Sequence, residues 1–329
     1  MHYGSVALVY LSADVVFVFA GHEWPYLGPI PGVALMDGFM KIVNIIGGIG
    51  NQMFQYAFAV ALKARNPEEE VLIDTSHFNG YRLHTGFELK RVFDVKLSPA
   101  KRGQIARLSY YIPHYTVSRA LRRVLPVRRS EYIELEAFRY DSKALGVSGS
   151  FYFEGYWQSP RYFEQCPAVV AEVFRFPEFC DRLNQNAARL LGVQNSVAIH
   201  VRRGDYVGAA NFSGICTLEY YRKALEQVFG LIKTPAFFIF SNDMDWYREH
   251  IIPLLRGADV HFIDFNTGQQ SYRDMQLMSL ARGCIIANSS FSWWGAWLNA
   301  RPDKFIVAPA RWTNCTDSTD MYPDGWILI

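Results

Sequence analysis

A histidine, two arginines and an aspartate fall within seven residues at His200-Val-Arg202-Arg203-Gly-Asp205-Tyr206, where the apolar run at residues 197–201 ends. Two adjacent arginines at the end of a buried strand are costly unless they meet opposite charge. A guanidinium is a planar fork suited to phosphate oxygens and keeps its charge at any working pH. The pattern therefore points to recognition of a diphosphate leaving group, with an internal ion pair to Asp205 as the alternative. His200 either donates to a phosphate or shapes the turn. Asp205 either accepts the proton of an attacking hydroxyl or pins the arginines, and the sequence leaves both open.

Two further stretches have the makings of anion cradles. Asn288-Ser289-Ser290-Phe291-Ser292-Trp293-Trp294-Gly295-Ala296-Trp297 puts hydroxyls at a strand-to-helix junction, where fresh backbone N–H groups favour negative charge. Phosphate contact is expected for Asn288, Ser289, Ser290 and Ser292, and core packing for Trp297. Gly47-Gly48-Ile49-Gly50-Asn51-Gln52 lies between a strand and a helix, where glycine lets backbone come close to a neighbour. As a dinucleotide fingerprint it fails, because Met53 stands where the third glycine belongs. Asp243-Met244-Asp245 is a literal D-x-D, a spacing by which metal-dependent glycosyltransferases hold a cation. Asp245 more naturally opens a helix, where the dipole favours an acid. With two arginines aimed at the phosphates, a cation is electrostatically redundant, so no metal is expected.

These residues need a frame. Apolar runs at residues 197–201, 236–240, 260–264, 284–287 and 305–308 alternate with helical segments at 218–229, 245–255, 272–282 and 292–298. Such alternation predicts a parallel sheet covered on both faces, with ligands at the carboxyl ends of its strands. Those ends carry the His200 cluster, Ser241-Asn242-Asp243, Asp264 and Asn288-Ser289-Ser290. A first α/β half opens with a strand at 41–46, the glycine turn, a helix at 52–65 and a strand at 71–74. The expected organisation is an extension at 1–39, a first domain at 40–155, a linker region at 156–190 and a second domain at 191–329.

The chain has 329 residues, half of them hydrophobic, and a formal charge of +2, which excludes a disordered or collagen-like chain. Five cysteines without C-x-x-C spacing argue against a zinc site or a disulfide framework and suit a reducing compartment. Residues 1–39 hold an apolar run near fifteen residues with Asp14 inside it and no Lys or Arg before Lys41. That is short of a bilayer span and lacks a signal's positive flank. A poorly structured extension is expected there, with a membrane-inserting segment as the alternative. Charge is segregated: residues 90–129 carry eleven basic side chains against Asp94 alone. This tract, expected to be helical over about 99–125, is either a solvated face or a contact for an anionic membrane. No nucleic-acid motif accompanies it, so no nucleic-acid partner is expected.

Residues 47–57, 200–206, 240–243 and 288–297 together resemble the galactoside α-1,2-fucosyltransferases of glycosyltransferase family 11, and the resemblance runs from Met40 to about Trp312. It implies a GT-B-like architecture, two Rossmann-like α/β domains facing across a cleft. GDP-β-L-fucose would lie on the second half, against Arg202, Arg203, Ser241, Asp243, Asn288, Ser289, Ser290 and Ser292. A galactose-terminated acceptor would face the first half at Gly48, Gly50, Asn51 and Gln52. The implied reaction inverts at fucose, makes an α-1,2 link and needs no cofactor. Arg203 occupies the place of the arginine that related enzymes use on the phosphates, and Arg203, Asp205 and His200 are the expected catalytic residues. The usual pattern has an acid where this chain has Asn242. The runner-up is a metal-dependent glycosyltransferase using Asp243 and Asp245 with another nucleotide sugar. The expected location is cytoplasmic, peripheral on the inner face of the cell membrane.

Overall fold

The computed structural model describes residues 38–193, 195–204, 208–241 and 243–329. The expected extension at 1–39 falls almost wholly outside the described residues, as do Asp205, Tyr206 and Asn242.

The first half opens with the expected strand, glycine turn, helix and second strand. Strand β1 (Met40–Asn44) is buried along its length and leads through Gly47, at φ +93°, into helix α1 (Ile49–Arg65). Strand β2 is Glu70–Asp74. Short helices α2 (Leu89–Val92), α3 (Arg102–Leu108) and α4 (Tyr115–Leu121) follow, then strands β3 (Glu131–Ile133) and β4 (Phe151–Glu154). All pairings are parallel, in the order β2-β1-β4-β3. The single helix expected over 99–125 is instead α3 and α4 with a break between them. Pro113 lies in that break; its ring disfavours helical backbone at the residue before it, and it has no N–H for a helical bond.

Residues 156–190 do more than link. Helices α5 (Pro167–Val173) and α6 (Arg182–Leu191) form there, and Trp157, Tyr162, Phe163 and Phe174 are fully buried. The second sheet holds β5 (Ser196–Val201), β6 (Ala236–Ser241), β7 (Asp259–Ile263), β8 (Gly283–Ile285), β9 (Phe305–Ala308) and β10 (Ile327–Leu328). Its order is β10-β9-β8-β5-β6-β7, again with parallel pairing. Helices α7 (Leu218–Leu231), α8 (Met244–His250), α9 (Tyr272–Met278) and α10 (Ser290–Trp297) connect the strands. Side-chain caps start several of them: Asp181 accepts from Asn184 N, Thr217 from Tyr220 N and Asp243 from Trp246 N.

The chain is thus two parallel α/β sheets, the GT-B-like arrangement that the resemblance implies. Helix α1 follows β1 and α10 follows β8, and the two helices meet at their N-termini. Consequently the carboxyl edges of the two sheets confront each other. The contact is too close for any side chain: a Cβ on Gly50 would stand 2.6 Å from the backbone carbon of Ser290 and 2.7 Å from Phe291 N. Polar bonds tie the same place. Ser290 Oγ donates to Asn51 Oδ1 at 2.7 Å, Gln158 Nε2 donates to that same oxygen at 2.7 Å, and Trp294 Nε1 donates to Gly50 O at 3.0 Å. Behind them runs an aromatic seam in which Phe54 meets Trp293 at 4.5 Å and Trp294 at 4.9 Å, while Phe163 stacks on Trp294 at 5.6 Å.

Substituting Gly50→Ala therefore forces backbone apart at the junction of the two halves. The expected loss is about 1–3 kcal/mol, read as a lower midpoint in urea denaturation. A midpoint unchanged from the wild type would show that the helices are not in hard contact.

Candidate active site

Strand β5 is buried on both faces, and its carboxyl end delivers the basic cluster. His200 is buried, its Nδ1 has no hydrogen-bond partner among the described residues, and its ring lies 5.9 Å from that of Phe291. Burial, reinforced by the positive charge of Arg202, pushes its pKa down to about 3. His200 is thus a neutral imidazole at working pH. Its carbonyl accepts from the Tyr221 hydroxyl at 3.1 Å, which fixes the strand end.

Arg203 is held from two sides. Its Nε reaches Asp243 Oδ2 at 3.3 Å, and its guanidinium lies 4.2 Å from the centroid of the Trp246 ring. Asp243 is itself fixed. Its other oxygen caps α8 through Trp246 N at 3.1 Å, and its own N–H donates to Ser241 Oγ at 2.9 Å. One carboxylate therefore closes the helix and aims the arginine. Asp245, by contrast, is fully exposed and pairs with Arg248 at 3.2 Å. The two acids of the D-x-D are engaged separately, and among the described residues no group of three or more metal-ligating side chains converges.

Arg202 and Arg203 line a hollow of about 180 Å³ together with Gly208, Phe212, Ser213, Gly214, Cys216 and Asn288. Burial pushes the Cys216 thiol up to about 12, and it donates to Asn288 Oδ1 at 3.4 Å. The Asn288 amide donates to Phe212 O at 3.3 Å and Trp312 O at 3.1 Å, tying two loops to the floor of the hollow.

The serines differ from one another. Ser292 is buried, and its hydroxyl shares the carbonyls of Ala287 and Ser289 at 3.2 Å each. Ser290 binds Asn51 across the junction, and Ser289 is the buried N-cap residue of α10. The side chains of Asn288 and Ser292 thus bond within their own half, while that of Ser290 reaches across to the first. Gln52, on the other side, bonds within its own half. Buried, it donates to Gly47 O and Gly86 O, each at 2.8 Å, and accepts from Glu88 N at 2.9 Å. Gly48 leaves little room: a Cβ there would stand 3.3 Å from the His84 ring.

Several groups at this cleft escape a reading of motifs. Trp246 follows the Asp243 cap by three residues, but its place against Arg203 joins two strand ends 43 residues apart and has no local signal. Around His84, the Tyr81 ring meets His84 at 5.9 Å and Tyr115 at 4.8 Å, which makes an aromatic border on the first half. Nearby, Glu134 follows strand β3 and accepts from Tyr156 N at 2.6 Å and Trp157 N at 3.1 Å. These bonds steady Trp157 at φ +54°, in the left-handed region that a bulky residue seldom adopts. Burial nevertheless outweighs the two N–H groups and pushes the Glu134 carboxyl up to about 7. Nothing in the local sequence marks Glu134, because its environment comes from β4 and the loop beyond.

The family described as Glycosyl transferase family 11 matches residues 122–329. An alpha-1,2-colitosyltransferase of Escherichia coli is 34% identical over 299 residues, covering 88% of this chain and 98% of the relative. A galactoside alpha-(1,2)-fucosyltransferase 1 of Alouatta belzebul is 26% identical over 262 residues, 77% of this chain and 63% of the relative. Among solved structures, the fucosyltransferase NodZ from Bradyrhizobium aligns over 79% of this chain and 93% of its own, with a TM-score of 0.46 and 14% identity.

The low pKa of His200 has a consequence for stability. Unfolding lets the imidazole take up a proton near its ordinary value of about 6.5, whereas the folded protein keeps it neutral down to about 3. The folded state therefore loses stability as pH falls below ~6.5, by up to ~1.4 kcal/mol per pH unit. The destabilisation caused by His200→Gln should thus be smaller at pH 5 than at pH 7 by about 2 kcal/mol. Urea titrations of both proteins at the two pH values measure it, and an equal gap would mean that His200 takes up its proton in the fold as readily as in the unfolded chain.

Proposed function

We propose, starting from the fact that the chain belongs to glycosyl transferase family 11, that it transfers L-fucose from GDP-β-L-fucose to the 2-hydroxyl of a galactoside. The observation that carries this is Arg203, fixed by Asp243 and Trp246 at the rim of a hollow it shares with Arg202. The hollow opens at the carboxyl end of β5, where ligands of parallel sheets bind.

The chemistry follows from charge. As the bond between the sugar and the phosphate breaks, positive charge grows on the sugar ring and negative charge on departing GDP. Arg203 and Arg202 meet that negative charge from fixed positions, which stabilises the transition state more than mobile water does. The N-termini of α1 and α10 both point at the junction, and their dipoles add to the same field. The acceptor 2-hydroxyl attacks the anomeric carbon from the face opposite GDP, so a β-linked donor yields an α-linked product. Its proton passes to a base, a role for which the sequence offers Asp205. The neutral His200 supports a part in orienting phosphate or shaping the turn. The acceptor would rest against the Gly48 turn and the Tyr81, His84 and Tyr115 border. No metal step is needed, because the arginines supply the positive charge. Five cysteines in the thiol form suit the reducing, cytoplasmic setting expected from the sequence. The colitosyltransferase relative supports a second reading of the donor, GDP-colitose in the same hollow.

The test is transfer to a panel of galactose-terminated acceptors from GDP-fucose and, side by side, GDP-colitose, with linkage read by NMR and excess EDTA in parallel. Arg203→Ala and Arg203→Lys should each lower kcat about a hundredfold or more, because a point charge does not replace the bidentate fork. Near-normal rates for the lysine variant would overturn the assignment of Arg203 to the phosphates.

A further inference from the structure

Helix α4 is built inside out. Its inward face carries the buried Ser118 and, one turn on, Arg122, whose guanidinium meets Glu131 at 2.8 Å and Glu154 at 2.5 Å. Its outward face carries Val117, Leu121 and Val124, four and three residues apart, which remain 47%, 40% and 78% exposed. Backbone bonds from Val124 N and Leu125 N to Leu121 O carry the helical turn past Leu121, so the three side chains form one stripe. Val127 extends it at 62% exposure. A helix that only had to pack on its own protein would turn this stripe inward.

The turn after the helix is anchored. The Arg128 guanidinium donates to the carbonyls of Ala106 at 2.9 Å, Arg107 at 3.1 Å and Ser109 at 2.7 Å, and Tyr110 Oη donates to Pro126 O at 3.1 Å. Val124 and Val127 are therefore presented from a fixed platform, beside the C-terminal end of α3. Arg123 and Arg129 flank them in the chain, Arg107 is joined to the same turn through its carbonyl, and all three side chains are exposed. No acidic residue occurs between Val95 and Ser130 in the sequence, and the acids Glu131 and Glu154 that the fold brings to this helix are taken up by Arg122 on its inward side.

We propose that this face, the outer side of α4 with residues 124–129, docks on an anionic lipid bilayer. Apolar side chains that project from a basic surface match a membrane interface. The valines and the leucine enter the boundary of the acyl chains while the arginines meet lipid phosphates. A protein partner would have to supply acid and an apolar groove together, whereas an anionic bilayer offers both everywhere. Among the described residues no helix is long and apolar enough to cross a membrane, so contact through this face is peripheral. Tyr115 opens the same helix and belongs to the aromatic border of the cleft, so docking would bring that border close to the lipid. The inference goes beyond the proposed reaction and does not depend on which sugar is transferred.

The test is co-sedimentation of the full chain with vesicles of phosphatidylcholine alone and with 30% phosphatidylserine added (about a third anionic lipid, chosen for the strength of its surface potential). Binding is expected to the anionic vesicles and to fall with salt. The pair Arg123→Glu/Arg129→Glu should lower partition at least roughly thirtyfold, and Val124→Glu/Val127→Glu at least roughly tenfold. Both variants keep residues 1–39, so a loss maps to this face, and unchanged thermal melting shows that they fold. Equal binding to both vesicle types, or variants that sediment like the wild type, would overturn the proposal. So would light scattering that shows a dimer broken by Val124→Glu/Val127→Glu, since the face would then belong to a second copy of the chain.

Discussion

Everything at the cleft depends on how closely two helix N-termini approach each other. Gly50 on α1 lies against the backbone of Ser290 and Phe291 on α10 with no space for a methyl group. Bringing two positive dipole ends together is unfavourable in itself. The cost is offset locally by Asn51 Oδ1, which accepts from both Ser290 Oγ and Gln158 Nε2, and by Gly50 O, which accepts from Trp294. It is offset more broadly by the aromatic seam of Phe54, Phe163, Trp293 and Trp294, which is removed from water. The same arrangement makes the junction a place where an anion lowers the energy. Assembly of the two halves and the diphosphate binding proposed for the cleft would thus have one electrostatic origin.

Within that field many of the polar side chains are tied to partners in the protein itself. Asp243 is tied twice, since one carboxylate caps α8 and aims Arg203. Asn288, Ser292 and Gln52 bond to backbone partners, which fixes the shape of the loops that carry them. A polar residue at the carboxyl end of a strand reads as ligand-binding from its type and place alone. The structure adds the bonds each such residue makes within the protein, because a buried amide or hydroxyl must be satisfied.

The basic tract teaches the complementary lesson. By composition, residues 90–129 form one uniform cationic segment. In the fold Arg122 is an internal ion-pair centre, Arg128 clasps backbone carbonyls, and Arg107, Arg123 and Arg129 face outward. Which arginine does which is settled by the acids Glu131 and Glu154 on β3 and β4, strands too short to be foreseen from periodicity.

The amino-acid sequence alone determined the second sheet, whose β5 to β9 fall within about two residues of the apolar runs, and with it the polar strand ends that carry His200, Arg203, Asp243 and Ser289. Those features are local: an apolar run followed by polar residues at a strand's end needs no knowledge of distant contacts. The sequence likewise marked the glycine turn as a site of close approach, but could not say what approaches. Tertiary structure alone decided that α10 is what lies against Gly50, that Trp246 underlies Arg203, that Glu134 is buried, and that α4 turns its valines outward. Each of these depends on residues brought together from distant parts of the chain or on the side from which a helix is covered. A linear pattern records neither.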